Sequence, residues 1–131
     1  MSETKTDRKY TTDHEWALSE DGSILIGITS FAVDQLGDIT LVDIDVGEGD
    51  TVAAGAAFGT IESVKTLSDL FAPMSGTVIK INPALEEEPE TINDDCWGSG
   101  WMIAIKPDDE GALEKLLDAD AYDKHLADSD H

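Results

Sequence analysis

The apolar residues of this chain fall into short, β-branched runs separated by clusters of Gly, Pro, Asn and Asp, a pattern of strands joined by tight turns. Residues 10–18 alternate weakly, residues 20–23 form a turn, and residues 24–28 are a continuous apolar run, which together predict a first hairpin. Thr29 and Ser30 are suited to cap a short helix through Leu36, with Gly37 placed to end it. Residues 38–46 carry Ile39 and Leu41 on one face and Val42 and Ile44 on the other, so a largely buried strand is expected. After turns at 47–50 and 53–57 around a short strand at 51–52, residues 58–62 and 69–81 read as strands, with Pro73 and Gly76 bracketing a turn inside the second. Residues 82–100 read as a long acidic loop and 101–105 as the closing strand. A helix is expected from Pro107, held down by Leu113, Leu116 and Leu117, followed by a shorter helical turn at 122–126.

A faint duplication runs through these elements. Residues 37–44 resemble 76–81, and 58–61 resemble 101–104, at offsets of about 40 residues. Two copies suit two similar antiparallel sheets packed face to face, with a hairpin connecting the halves. That hairpin contains Lys65. The length predicts one domain, over residues 10–126, with flexible segments at 1–9 and 127–131.

Charge sharpens the picture. With 29 acidic against 8 basic residues the formal net charge is -21, which repels nucleic acid and anionic membrane surfaces. Between residues 10 and 79 there are twelve carboxylates and one basic side chain, Lys65. Such a lysine serves either a local ion pair, with Glu62 or Asp69 as partner, or the chemistry of its amine. A single cysteine, Cys96, allows no internal disulfide and fits a reducing compartment. No apolar run approaches the ~18 residues of a membrane-spanning helix, and the opening residues lack an apolar signal core, so the cytoplasm is expected. Metal readings fail on spacing. His14 and Glu15 are adjacent and face apart on a strand, and residues 43–50 lack the glycine and final glutamate of a calcium loop. The acidic residues at 86–90 and 94–95 read as a solvated loop, and Trp16, Trp97 and Trp101 as packing residues.

At Glu62, Ser63, Val64 and Lys65, followed by Ser68, Asp69, Pro73, Ser75 and Gly76, the chain resembles the glycine cleavage H-protein family. The likeness extends through Tyr10, His14, Glu15, Trp16, Gly27, Thr29, Leu36, Gly37, Asp38, Gly59, Asn82, Glu90, Asn93, Gly100, Trp101 and Pro107, in the family's order and spacing. Val64 before the lysine separates it from dehydrogenase lipoyl domains, which have Asp-Lys there, and from biotin carriers, which have Met-Lys-Met. The chain departs from the family's common residues at Cys96 and Trp97 and at Thr66 and Leu67. The resemblance implies a mainly β barrel-sandwich hybrid of two small antiparallel sheets, with a short internal helix and a C-terminal helix. It implies covalent lipoate on Lys65, with Glu62, Ser63, Val64, Ser68 and Asp69 as the attachment motif. It also places Glu15 and Asp69 near a cleft for the loaded arm, with Gln35 on the adjacent short helix. The implied role is a non-catalytic carrier of the aminomethyl group of glycine. Its partners would be a pyridoxal-phosphate glycine decarboxylase, a folate-dependent aminomethyltransferase, dihydrolipoyl dehydrogenase and a lipoate-attaching enzyme. Two other uses remain open: a relay that passes lipoyl groups to other acceptors, and an acidic interaction domain whose lysine is unmodified.

Overall fold

The computed structural model describes residues 7–129 apart from Asp13, Asp21 and Glu110. Among these residues nine strands form two antiparallel sheets. The larger contains β1 (Lys9–Tyr10), β2 (Glu15–Glu20), β3 (Ser23–Ile28), β5 (Thr51–Val52), β8 (Gly76–Ile81) and β9 (Ile103–Pro107), in the order β1-β2-β3-β9-β8-β5. The smaller is β4 (Ile39–Ile44), β6 (Ala57–Ser63) and β7 (Leu67–Phe71), in the order β4-β6-β7. Both sheets feed one core. Ile26, Val78 and Ile105 from the larger sheet are buried in the same cluster as Val42, Ile61 and Leu70 from the smaller. Each such side chain contributes about 1.5–3 kcal/mol when removed from water.

The short helix α1 (Ser30–Leu36) forms where expected. The hydroxyl of Thr29 accepts the amide of Ala32 at 3.2 Å, and Gly37 closes the helix at φ 80°, a conformation costly for any residue with a Cβ. Five features differ from the sequence reading. The strand at 38–46 is only half buried, because a bulge between Ile39 and Leu41 brings Ile39 and Val42 to the core and leaves Leu41 47% exposed. The run at 69–81 is two strands in different sheets, β7 and β8, joined through the buried residues Ala72 and Met74.

The acidic segment 82–100 is not an open loop. It contains the single-turn helices α2 (Ala84–Glu87) and α3 (Thr91–Asp94), which bury Leu85 and Ile92 completely. Asn82 fixes this segment: its amide donates to the carbonyls of Ser99 and Trp101, and its oxygen accepts from Ala84. At the C-terminus the expected order reverses. Residues 113–115 make only a 3-10 turn, and the true helix is α4 (Ala119–Ser129). Leu117 is held extended by paired backbone bonds with Tyr10, at 2.7 and 2.9 Å, so the helix starts afterwards, with Asp118 accepting the amide of Ala121 at 2.8 Å.

The last difference is at the N-terminus. Arg8 and Lys9, expected in a flexible segment, are part of the fold; residues 1–6 and 130–131 of the expected flexible ends lie outside the described residues. Arg8 lies 4.6 Å from the ring of Trp16 and 5.3 Å from that of Trp97, and donates to the Trp97 carbonyl at 2.8 Å. Tyr10 stacks on Tyr122 at 4.7 Å, so β1 and α4 close a second apolar cluster over Trp16. The indole nitrogen of Trp16 donates to the carbonyl of Cys96 at 2.9 Å, and its ring covers Gly27 so closely that a Cβ there would sit 2.5 Å from it.

Gly27→Ala must displace a ring pinned by a hydrogen bond and a guanidinium. It should cost about 1–3 kcal/mol of unfolding free energy, read as a lower urea midpoint at unchanged slope. Wild-type stability would refute the tight packing.

Candidate carrier hairpin and the adjoining cleft

β6 and β7 meet in a turn built by Ser63. Its amide donates to the Thr66 carbonyl at 2.9 Å, and its buried hydroxyl accepts the amides of Lys65 and Thr66, both at 3.2 Å. A serine that hydrogen-bonds its own turn fixes the backbone without help from neighbouring side chains. The amide of Val64 donates to Asp38 at 3.1 Å, tying the tip to the start of β4. Strict alternation would send Val64 inward and Lys65 outward, but at a two-residue tip both point away, and Val64 is 66% exposed.

The Lys65 stem lies over the end of α1, where a Cβ at Gly37 would stand 3.3 Å from Lys65 Cε. Among the described residues no carboxylate comes within 4.0 Å of its ammonium, so the ion pair with Glu62 or Asp69 is not formed. The floor under the lysine is braced by Asn93 of α3. Its side chain donates to the Gly37 carbonyl and accepts the Ile39 amide, both at 2.9 Å. Asn93 belongs to the family likeness, but nothing in the sequence pattern assigns it this task.

Beside the hairpin is a cleft of about 140 Å³. One wall is α1, through Ala32, Gln35 and Leu36; the other is formed by His14 and Glu15 with Ser68, Asp69 and Leu70 of β7. The three residues expected at an arm cleft, Glu15, Gln35 and Asp69, therefore come together here, in unlike settings. Glu15 is 2% exposed; its Oε2 accepts the Phe71 amide at 2.6 Å and its Oε1 the Thr11 hydroxyl at 3.4 Å. Gln35 and Asp69 are exposed. Asp69 pairs with Thr60, which pairs with Asp43, in a row that faces outward, so Asp69 stands on the rim while Ile61 and Ser68 of the adjacent row face in.

His14, which the sequence excludes only as a metal ligand, is part of the cleft wall, with φ 67°. Its Nδ1 lies 2.9 Å from the hydroxyl of Tyr122, which also lies 2.8 Å from the hydroxyl of Thr29. One tyrosine of α4 thus touches the His14 wall and the cap of the helix that forms the other wall. Sequence reasoning did not single out Tyr122, because the contact spans 108 residues and leaves no local signature. Nearby, burial pushes the Cys96 thiol up to about 11.

The profile of the glycine cleavage H-protein family matches residues 8–129. The chain belongs to that family. It is 54% identical to the glycine cleavage system H protein of Bacteroides fragilis over 114 residues, 87% of this chain and 90% of that one. To the H protein of Marinobacter nauticus it is 48% identical over 128 residues, 97% of this chain and 98% of the other. The crystal structure of the H protein from Mycobacterium marinum superposes with a TM-score of 0.82 at 38% identity, covering 97% of this chain and 99% of that one. H-protein membership carries with it the lipoyl-carrier role in glycine cleavage and the two-sheet fold seen here. Among the described residues no helix is long and apolar enough to cross a membrane.

Burial also raises the Tyr122 hydroxyl, to about 12 from 10.0, as it raises Cys96 from 9.0. Between the unfolded and folded values the native chain holds protons that the unfolded chain has released. Stability should therefore fall as pH rises from about 9 through 12. Tyr122→Phe should remove the part of this loss above pH 10, and Cys96→Ser the part that begins near pH 9. Urea titrations across the range check both, and parallel curves for the three proteins would refute the assignment.

Proposed function

We propose that Lys65 of this H protein carries lipoate as an amide and that the cleft beside it shelters the loaded arm. The observation that carries the reading is an exposed amine, with no carboxylate within 4.0 Å among the described residues, at the tip of a turn pinned by Ser63. When bound, the group supplies a reversible disulfide on an arm of roughly a dozen bonds at about 1.5 Å each, long enough to reach somewhat over 10 Å. The protein's own residues do the rest. Amide formation removes the lysine charge, so an uncharged stem crosses Gly37 toward the cleft. Ile28, Ala32, Leu36, Ile61 and Leu70 line that cleft with apolar surface, which keeps water from the cargo. Asp69, exposed on the rim, is the carboxylate suited to meet a cationic cargo directly. Glu15, anchored to Phe71 and Thr11, supplies negative potential at the cleft and holds β7 in place.

Glu62, Ser63, Val64, Ser68 and Asp69 present the lysine to its modifying enzyme, and Gln35 borders the path of the arm. The chain itself catalyses nothing. Its partners supply the chemistry: a pyridoxal-phosphate glycine decarboxylase, a folate-dependent aminomethyltransferase, dihydrolipoyl dehydrogenase and a lipoate-attaching enzyme. Its compartment is the cytoplasm.

Peptide mapping of protein from lipoate-replete native cells should find the modification on Lys65 and not on Lys80 or Lys106. An unmodified Lys65 would sink the carrier role in favour of an acidic interaction domain. Lys65→Arg should fold normally and lose glycine exchange.

Loss of the Asp69 contact, on the order of 1.5 kcal/mol for a bond to a charged group, should speed spontaneous ammonia release from purified loaded Asp69→Asn about tenfold. Glu15→Gln keeps an acceptor for Phe71 and should change release less. Wild-type release from Asp69→Asn would leave that carboxylate without the guarding role.

A further inference from the structure

The outward face of the small sheet ends at the attachment lysine and is uncovered. Register places Leu41, Glu62 and Leu67 side by side across β4, β6 and β7, and the next outward row is Asp43, Thr60 and Asp69. Leu67 is 65% exposed, Leu41 47% and the neighbouring tip residue Val64 66%, while the alternate residues Val42 and Ile61 are buried in the core. Three apolar side chains so close to one amine form a ledge; one carboxylate, Glu62, stands within its row, and two more, Asp43 and Asp69, stand in the row behind. The three strands themselves carry no basic residue.

We infer that this face is the docking surface for the enzyme that acylates Lys65, an enzyme whose acceptor entrance has an apolar lip and a basic rim; the inference rests on Lys65 being the attachment site. Charge selects the class of partner. A second copy would set carboxylates against carboxylates, and nucleic acid or an anionic membrane would be repelled in the same way, whereas a basic protein rim is complementary. Reach selects among protein partners. In acylation the Lys65 nitrogen, having shed one proton, forms an amide bond to the carboxyl carbon of an activated donor, an adenylate or thioester. The bond from that carbon to its leaving group breaks, and the second nitrogen proton departs with the leaving group. The reacting nitrogen must therefore enter the partner's site, and residues one or two positions away are drawn into the contact. Enzymes that act at the far end of the arm work about 10 Å further out and need not touch the ledge.

The test is steady-state acylation of the unmodified full chain by the host's lipoate-attaching enzyme, with lipoate and ATP, followed by intact mass. The variants are Leu41→Ser with Leu67→Ser, Asp43→Lys, and Ile79→Ser as a control, since Ile79 is 42% exposed but lies on the other sheet. Partial burial of two leucines predicts a KM for the protein acceptor raised roughly tenfold in the double variant, with kcat within about twofold and unchanged thermal unfolding. Asp43→Lys should raise KM and weaken its dependence on salt, and Ile79→Ser should match wild type.

Wild-type KM in the double variant, or an equal rise in Ile79→Ser, overturns the inference. So does normal acylation combined with impaired turnover by the glycine decarboxylase, which would assign the face to a later partner. A wild-type dimer that the double variant abolishes in sedimentation would assign it to a second copy. If wild-type Lys65 is not acylated, the attachment site itself is wrong and the docking face falls with it; if wild type is acylated and the variants match it, only the docking face falls.

Discussion

The contact on which the functional geometry depends is the bond from the Phe71 amide to the carboxylate of Glu15, at 2.6 Å. Phe71 ends β7, an edge strand of the small sheet, and Glu15 begins β2 of the large one. A carboxylate this deeply buried is tolerated only with hydrogen-bond donors in place, and removal of its acceptors would leave a backbone amide unsatisfied at a sheet end. The requirement works in both directions. It holds the outer strand of the hairpin against the larger sheet, and it places a carboxyl group in the cleft wall.

Around that tie the cleft has two walls that share one support. The α1 wall is fixed at its start by Thr29 and at its end by Gly37, whose carbonyl is held by Asn93. The His14 wall is fixed by Tyr122, which also reaches Thr29. The C-terminal helix, far from the hairpin in sequence, thereby sets the spacing of a site to which it contributes no lining residue. Such an arrangement places the precision of the cleft in packed aromatic groups and leaves much of its lining to small and aliphatic side chains.

The strands, the short capped helix and the hairpin with Lys65 at its tip were legible because each has a local cause: β-branched runs, a threonine cap, glycines at turns. The failures have physical reasons too. Leu41 is expected in the core because both faces of 38–46 carry apolar residues, whereas a bulge, visible only in the pairing, leaves it at the surface. The acidic segment was read as solvated because its charges outnumber Leu85 and Ile92, yet two buried side chains and Asn82 suffice to fold it onto the core. The C-terminal helix was placed too early because Leu113, Leu116 and Leu117 have helical spacing, whereas Leu117 is held by the backbone of Tyr10. At the site, Lys65, Glu15, Gln35 and Asp69 could be named through family likeness, but the tasks of Asn93 and Tyr122 rest on contacts 54 and 108 residues apart and have no local signature.

The turn at Ser63 has a consequence for how this surface can change over generations. Its bonds run from one serine to backbone atoms; the side chains at 64 and 67 are largely exposed, and the Thr66 hydroxyl reaches only the neighbouring Leu67 carbonyl, at 3.5 Å. Substitutions there are open to selection for recognition alone, at little cost to the fold. The departures from common family residues at Thr66 and Leu67 fall on this ground, where side chains can change while the backbone of the turn stays in place.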